Sequence, residues 1–479
     1  MAKTRKDLKI PYPVEGLIQS LQMNDTIAPE QSVATAINVV FDRIGAITTR
    51  AGNTQFATQL GGKIISLGKF AENATTNRQL LAQVGNTIWR WNGTNWANVR
   101  TLTSSTNKAR YSQFLNLTYT VNGSGASGDP IQTYNGTTYG STNVASLPKG
   151  DFVSAGFEGR VWVADATLDR LYYSDIVSFA GTITGGTDYI EKLSPQDGES
   201  FTGLYRVPRA LLVFKQNHIY RVYGATSVDP YPAYNVGTFS QESIVEAKNG
   251  LYFHHSSGFY WFRYDGQPQE ISRRIKGFVN AIPRSYYENV TGAYDGKDSV
   301  TWSVGPVTVD GVTYTNCQLR YTISTQVWTA YDLVDITPTA MITYDSGNII
   351  AQIVGDNTGL VMQQETGTSD NGKDFYFEVI TRWISFVDMW SMKKQLSGIM
   401  VNHQNGSGVN LQFQCDKDVP DKWTDAGTLD DSYSTIFANF QSDNFNRIRL
   451  RLSGFTKGTQ IVFDGIEIDT IIEQGAEFN

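Results

Sequence analysis

The chain of 479 residues contains little of the chemistry on which most enzymes depend. It has two cysteines, Cys317 and Cys415, and only four histidines. Two distant cysteines in alternating apolar stretches are typical of buried thiols in a protein that folds in a reducing compartment. His254 and His255 are adjacent in a predicted strand, so their side chains point to opposite faces and cannot bind one metal ion together. With no His-Glu-x-x-His or Cys-x-x-Cys motif, the sequence predicts no catalytic residue, no metal, no cofactor and no enzymatic activity.

Long apolar runs and dense basic clusters are also missing. No stretch approaches the length that a membrane-spanning helix needs. Pro11 and Pro13 follow the basic start where a signal peptide would have its apolar core. The formal net charge is −7, and gripping a phosphate backbone requires clustered Lys and Arg instead. We therefore expect a protein made in the cytoplasm, without membrane insertion and without tight binding to duplex DNA.

What the sequence has in abundance favours strands and tight turns. Aromatic residues make up 12% of the chain, and there are 44 glycines. Four segments consist of an apolar-aromatic strand followed by a turn, and these turns end at Gly93, Gly136, Gly224 and Gly266. Their spacing of about 40 to 50 residues, or twice that, is typical of a β-propeller. The aromatic stripes could stack sugars or bases, but their recurrence in each repeat favours packing between sheets.

The pattern divides the chain into three parts. We predict an all-β protein with an extended arm at residues 1–35, a β-propeller of six or seven blades at 36–366 and a C-terminal β-sandwich domain at 374–479. Strict alternation from Arg447 to Leu452 indicates strands with one dry and one wet face, as in a two-sheet sandwich. The residues between 366 and 374 are polar and rich in Gly, which favours a boundary there.

Two details of the propeller are expected from local patterns. Residues 37–50 form a predicted hairpin that would supply the missing strand of the last blade, although Pro29 could also open a short helix through Ala36. Between Val307 and Tyr314 the sixth repeat carries a predicted inserted loop.

Charged residues in the C-terminal part allow more than one interpretation. Arg447, Arg449 and Arg451 share one strand face and could bind an anion, although a solvated face or a subunit contact is the simpler interpretation. Three acidic residues could ligate Ca²⁺, but interleaved lysines and a proline favour a solvated turn; they are Asp416, Asp418 and Asp421.

The arm is basic and interrupted by prolines, so we expect that it does not fold alone. Its apolar residues are too numerous for a solvated tail; they are Ile10, Val14, Leu17, Ile18 and Leu21. We predict that these five residues bind a partner, either another copy or an adjacent ring. Residues 1–25 would then be dispensable for folding and necessary for assembly.

The beginning of the chain resembles that of bacteriophage tail-hub proteins. The residues that carry this likeness are Glu15-Gly16-Leu17, Pro29, Ala36, Asn38, Phe41-Asp42-Arg43, Gly45-Ala46-Ile47 and Arg50-Ala51-Gly52. The last triplet is Arg-Pro-Gly in the family, so this chain departs from the pattern at Ala51. The length, the order of parts and the absence of catalytic motifs resemble the hub or nozzle of short-tailed phages.

The resemblance implies a structural virion protein of the phage tail. It implies a homo-oligomeric ring of six copies, attached below the portal and adaptor and next to other tail proteins (adaptor, fibre or spike). Duplex DNA would pass through the lumen of the ring during genome ejection without specific binding. The resemblance implies no catalytic residue.

Two other function classes remain open at this point. One is a carbohydrate-binding propeller that acts as an adhesin or glycosidase, although the sialidase Ser-x-Asp-x-Gly-x-Thr-Trp box is missing. The other is a cellular scaffold propeller, although Trp-Asp and kelch-type signatures are missing.

Overall fold

The computed structural model describes residues 3–19, 29–42, 45–72, 77–140, 147–177, 184–191, 198–225, 227–228, 233–264, 266–386, 392–416, 422–438, 440 and 445–473. Strands dominate these residues. Helical structure within them is limited to α1 (Lys276–Ala281) and three short 3-10 segments at Gln241–Ser243, Arg273–Ile275 and Arg284–Asn289.

Six short strands precede the repeats in the described part of residues 3–57. They are β1 (Lys3–Lys9), β2 (Gly16–Leu17), β3 (Ser32–Ile37), β4 (Val39–Val40), β5 (Ile47–Thr49) and β6 (Asn53–Ala57).

Five antiparallel sheets of four consecutive strands follow and form blades one to five. Blade one contains β7 (Ile64–Ala71), β8 (Arg78–Val84), β9 (Thr87–Trp91) and β10 (Trp96–Thr101). Blade two contains β11 (Arg110–Phe114), β12 (Leu117–Val121), β13 (Gln132–Tyr134) and β14 (Tyr139–Gly140). Blade three contains β15 (Phe152–Phe157), β16 (Arg160–Asp165), β17 (Arg170–Ser174) and β18 (Gly185–Glu191). Blade four contains β19 (Gly203–Val207), β20 (Ala210–Phe214), β21 (Ile219–Gly224) and β22 (Ser227–Val228). Blade five contains β23 (Val245–Ala247), β24 (Gly250–His255), β25 (Gly258–Phe262) and β26 (Gln269–Glu270).

Two further blades complete the propeller. Blade six contains β27 (Thr291–Tyr294), β28 (Ser299–Val309), β29 (Val312–Thr322) and β30 (Val327–Asp332). Blade seven contains β31 (Pro338–Asp345), β32 (Ile350–Asp356), β33 (Val361–Gln364) and, as its outermost strand, β6. The first strands pack side by side between blades one to four and between blades five to seven, and β31 returns to β7. Between blades four and five, the Gln241 side chain bonds the Leu204 backbone N–H at 2.7 Å and its carbonyl at 3.0 Å. The predicted β-propeller is therefore confirmed, with seven blades.

The ring closes with a different strand from the expected one. β6 pairs with β33, placing Gln55 opposite Met362. The hairpin predicted at residues 37–50 does form, as β4 against β5, but β5 pairs with β40 of the C-terminal domain. The alternative of a helix through Ala36 is wrong, because β3 is a strand; its β-branched Val33, Thr35 and Ile37 favour that conformation.

The inserted loop expected between Val307 and Tyr314 is instead the end of a long hairpin. β28 and β29 have 11 residues each and turn at Asp310-Gly311. The buried Val307 and Val309 pack with α1 in the largest core cluster, which includes the aromatic pair Phe278 and Tyr314.

The C-terminal strands form the predicted sandwich together with strands from the other end of the chain. They are β34 (Tyr376–Thr381), β35 (Lys393–Gln404), β36 (Asn410–Cys415), β37 (Thr424–Thr428), β38 (Ser434–Ala438), β39 (Ile448–Phe455) and β40 (Val462–Glu473). One sheet has the order β38-β35-β40-β5-β4, with β1 also on β40, and the other has the order β3-β34-β39-β36-β37, with β2 on β3. Val401 and Ile468 of the first sheet share one buried core with Val379, Leu411 and Leu452 of the second.

The sandwich and the propeller share a sheet. β3 lies between β34 and β30 of blade six, with Ile37 paired to Ala330, so blade six continues into the sandwich as one ten-stranded sheet. Strands β3 to β5 therefore belong with the sandwich, whereas the sequence assigned residues from 36 onward to the propeller. The first propeller strand begins at Asn53.

Candidate functional site

The arm, for which a partner-binding role is predicted, lies on its own chain over residues 3–19. β1 pairs antiparallel with β40, from Lys3 opposite Glu473 to Lys9 opposite Glu467. Arg5 Nε donates to Asp469 Oδ1 at 2.9 Å, an exposed ion pair. The expectation that the arm orders only against a neighbour is therefore wrong for this segment.

The five predicted arm residues do not form one surface. Leu17 and Ile18 are 1% and 2% exposed, and the backbone carbonyl of Ile18 accepts a hydrogen bond from Arg382. Ile10 is half-buried and packs against the main core. Val14 is 47% exposed and stays available to a partner, whereas Leu21 lies outside the described residues. Burial of Leu17 and Ile18 also argues against the expectation that residues 1–25 are dispensable for folding.

Three of the residues that carry the resemblance, Asn38, Asp42 and Arg50, lie at the junction of propeller and sandwich. Asn38, between β3 and β4, has a left-handed backbone with φ 56°. Its amide nitrogen donates to the carbonyls of Asp332 at 3.1 Å and Tyr376 at 2.7 Å. Its side-chain oxygen accepts from Arg50 Nε at 2.8 Å. One asparagine thus ties blade six to β34 of the sandwich.

Arg50 continues this buried network. Its Nη1 and Nη2 donate to the two oxygens of Asp370 at 2.9 and 2.6 Å, and both side chains are at most 1% exposed. The guanidinium also lies 3.9 Å from the ring centre of Phe375. Asp370 accepts further hydrogen bonds from Asn53 Nδ2 at 2.6 Å and from the Val334 backbone N–H at 3.0 Å. These donors replace the hydrogen bonds to water that the carboxylate of Asp370 loses on burial.

A second ion pair holds the same junction nearer the surface. Asp42 accepts from Nη1 and Nη2 of the nearly buried Arg320 at 3.0 and 2.8 Å. We name the set Asn38, Asp42, Arg50, Arg320 and Asp370 the junction clamp. Asn38, Asp42 and Arg50 belong to the family likeness, but the sequence does not reveal Asp370 and Arg320 as partners, because they lie 320 and 278 positions away from Arg50 and Asp42 along the chain.

The first strands of the blades enclose a central channel with a cavity of about 360 Å³. Lys69, Lys108, Arg110, Glu242 and Glu246 line it. Glu242 accepts from Arg110 Nε at 3.0 Å and lies 3.4 Å from Lys108 Nζ. Burial alone would raise the pKa of Glu242, but Arg110 and Lys108 hold that pKa at about 2. A glycosidase acid needs a carboxyl whose pKa is raised, so Glu242 is not suited to that role.

Other channel groups also act as fixed partners. Glu246 accepts from the hydroxyls of Tyr205 at 2.9 Å and Tyr264 at 2.6 Å. The channel walls displace water around Lys69 and lower its pKa, an effect that Asp345 and Glu246 oppose. Glu242 and Glu246 are therefore engaged by partners within the chain.

The arginines of β39 are largely occupied within the chain. Arg451 Nε donates to Glu378 at 2.7 Å. Arg449 donates to Gln414 at 2.7 Å and lies between Trp383 and Trp423, 4.7 and 5.0 Å from their ring centres.

The remaining charged candidates on this side of the sandwich lie close together. Arg447 lies 3.9 Å from Asp416. Of the three acidic residues considered for Ca²⁺, Asp418 and Asp421 fall outside the described residues. The subunit contact at the arginine face stays a prediction.

The adjacent histidines face different surroundings, as strand alternation predicts. His254 packs on Phe259 and Tyr287, with ring centres 5.0 and 5.3 Å away, and burial lowers its pKa to about 3. His255 contacts Ser257 and Tyr260, and burial lowers its pKa to about 4. Among the described residues, no three His, Cys, Asp or Glu side chains cluster as metal ligands. Nor does any helix among them have the length and apolarity to cross a bilayer.

Comparison with known proteins gives matches to solved structures at low sequence identity. No protein-family model and no curated protein matches the chain. The extracellular domain of BT4673 from B. thetaiotaomicron is 12% identical with a TM-score of 0.46, and the match covers 92% of this chain and 63% of that one. YCF48 bound to D1 peptide is 12% identical with a TM-score of 0.37, over 68% of this chain and 96% of that one. BBS1N in complex with ARL6DN is 10% identical with a TM-score of 0.40, over 67% and 98%.

Proposed function

We propose that this protein is a structural component of the tail of a short-tailed bacteriophage and forms its hub or nozzle ring. The observation that supports this proposal best is the junction clamp. The segment with the family likeness supplies Asn38, Asp42 and Arg50, which fix the propeller to the sandwich. These three residues help to fix the relative position of the two domains. A structural subunit of a ring needs such a fixed arrangement.

The rigidity of the connection suits a ring subunit. Blade six and the sandwich share backbone hydrogen bonds through β3, and the clamp adds a buried ion pair. Interfaces between domains of one chain usually permit relative motion unless they are large and well packed. A tail ring under the pressure of passing DNA needs subunits that keep one shape, and the net charge of −7 disfavours adhesion to the DNA.

Contacts between copies are proposed on the sandwich. Val14, Tyr433, Ile436 and Phe455 are exposed apolar side chains there. Ile436, 68% exposed, lies on β38, an edge strand whose outer side is unpaired within the described sheet. Open edges and apolar side chains are the features that protein contacts cover.

Electron microscopy and light scattering of the purified protein test the proposal. We expect closed rings, and we expect Ile436→Asp to shift the protein to monomers. Ile176→Asp is the matched control, because Ile176 is 67% exposed on the propeller. Wild-type protein that stays monomeric at virion-like local concentrations, in the presence of its neighbouring tail proteins, would contradict the ring.

The rival proposal, a carbohydrate-binding propeller, is favoured by one observation, a groove that combines cations with aromatic rings between blades four and five. Hydrolysis of glycans by the purified protein would support the glycosidase form of this rival. The low pKa of Glu242 disfavours this residue as the general acid of such an enzyme.

A further inference from the structure

A groove of about 820 Å³ opens between blades four and five, on the face where the first and second strands of each blade are joined. Its cations come from four places in the chain. Arg209 lies in the turn between β19 and β20, Lys248 lies in the turn between β23 and β24, and Arg221 and Arg263 lie in or just after the third strands. No carboxylate lines the described part of this groove. In a chain with net charge −7, this is a local concentration of positive charge.

One of the four cations is held in a fixed orientation. The Arg221 guanidinium lies 5.2 and 5.8 Å from the ring centres of Tyr234 and Phe262. It donates to the Tyr264 carbonyl at 3.2 Å and to the Tyr234 hydroxyl. Because the Arg221 side chain is already ordered, less side-chain entropy is lost when a ligand binds to it.

Aromatic rings form the other part of the groove. The Trp261 indole N–H donates to the Asn249 carbonyl at 3.3 Å, and the Tyr264 hydroxyl donates to Glu246 at 2.6 Å. Both rings are therefore oriented by hydrogen bonds at one end. Tyr223 is 45% exposed at the end of β21, so its ring remains available to a ligand.

We propose that this groove binds an acidic carbohydrate, a short oligosaccharide that contains uronic acid. The apolar faces of sugar rings pack on Trp and Tyr side chains. Arginine binds carboxylates through two parallel hydrogen bonds. A uronic-acid oligosaccharide provides both features within a few sugar rings, which fits a groove confined to two blades. The site is independent of ring assembly, since only these two blades form it.

Charges at the border of the groove disfavour nucleic acid as the ligand. Asp298 lies 3.6 Å from Lys248, Glu246 contacts Tyr264, and a side chain at Gly224 would meet Glu158. Asp298 thus lies beside one cation, and Glu246 and Glu158 lie beside other residues at the border of the groove. A phosphate backbone carries a charge at every nucleotide and would meet these carboxylates, whereas a short acidic oligosaccharide ends within the groove.

Calorimetric titration of the full chain tests the proposal, with tetragalacturonic acid as the probe. We expect saturable binding that weakens as salt is added. Fully methyl-esterified tetragalacturonate has the same rings without the charges and should bind at least about tenfold more weakly. Tyr223→Ala and Arg209→Ala should each weaken binding about tenfold. Their matched controls, Tyr189→Ala and Arg273→Ala, remove exposed side chains outside the groove and should bind as the wild type does.

Three results would overturn the proposal. They are the absence of saturation with tetragalacturonic acid, equal binding by the groove variants and the wild type, and binding of a single-stranded oligonucleotide in preference to the acidic sugar. Circular dichroism and the ring assay on the same variants separate these results from a folding or assembly defect. A failed ring assay with intact sugar binding would count against the tail proposal alone.

Discussion

At the scale of single residues, the most consequential contact is the buried pair of Arg50 and Asp370. An ion pair taken out of water is costly unless other hydrogen bonds complete its solvation. Here Asn38, Asn53 and the Val334 backbone complete it. Removal of either charge leaves the other one buried without its counter-ion.

We expect Asp370→Asn to lower the free energy of unfolding by about 3–5 kcal/mol, since the Arg50 charge would stay buried. Denaturant unfolding followed by tryptophan fluorescence measures this change. The matched control is Asp335→Asn, which breaks the exposed pair with Lys373 and should cost about 0–1 kcal/mol. Equal effects of the two substitutions would contradict the role assigned to the clamp.

His254 should make stability depend on pH. Burial lowers its pKa to about 3 in the folded state, whereas in the unfolded chain it is about 6.5. As pH falls below 6.5, the unfolded state takes up a proton that the folded state does not, so stability decreases on acidification. The contribution at pH 5 is about 2 kcal/mol less than at pH 7.5.

Replacement of His254 by Phe should remove this part of the pH dependence, because Phe keeps the ring packing on Phe259 and Tyr287 without titrating. Unfolding free energies at pH 7.5 and 5.0 measure the difference. His218→Asn, at a half-buried site beside Glu199, is the control. An unchanged slope in the Phe variant would contradict the assignment.

At the scale of elements, local pattern predicted the strands well and their partners poorly. The strands of blade one follow directly from alternation and turn residues between Ile64 and Thr101. β6 has no sequence signal for its pairing, because β33 lies about 300 residues later. The junction clamp shows the same limit, because the local sequence around Arg50 does not predict that Asp370 is its ion-pair partner. The pairing of strands within a blade joins residues close together in the sequence. Closure of the ring and the connection between the two domains join residues that are far apart in the sequence.

Two deletions of different length distinguish the contributions of β1 and of the buried residues after it to thermal stability. Removal of residues 1–9 takes away β1, whose ion pairs Arg5–Asp469 and Lys9–Glu467 are exposed and whose buried apolar side chain is Leu8, so we expect a folded protein with a moderate loss of thermal stability. Removal of residues 1–25 also takes away the buried Leu17 and Ile18. Truncating one such side chain costs about 2–5 kcal/mol, so this longer deletion should unfold at a clearly lower temperature.

Differential scanning calorimetry of both truncated proteins measures this difference. Equal melting temperatures would show that Leu17 and Ile18 do not contribute to the core. Ring formation by the shorter truncation, followed by electron microscopy, tests whether β1 takes part in assembly. We expect fewer rings, because the deletion uncovers the β40 edge that β1 pairs with in the intact chain.

At the scale of the whole molecule, the net charge of −7 should prevent strong binding to duplex DNA. Non-specific binders present a dense basic surface and release counter-ions. We expect no gel shift with duplex DNA at physiological salt and sub-micromolar protein. A shift under these conditions, lost as salt rises, would contradict the proposed lumen through which DNA passes without binding.

The position of β40 has a consequence for biosynthesis. β40 lies between β35 on one side and β1 and β5 on the other, and Arg5 is 464 positions before its partner Asp469. A ribosome delivers β1 and β5 first and β40 only after all seven blades. The nascent propeller can therefore assemble early, while β1 and β5 wait with an unpaired edge until translation reaches residues 462–473. Translation that stops between the propeller and β40 would release a chain with these edges open to aggregation.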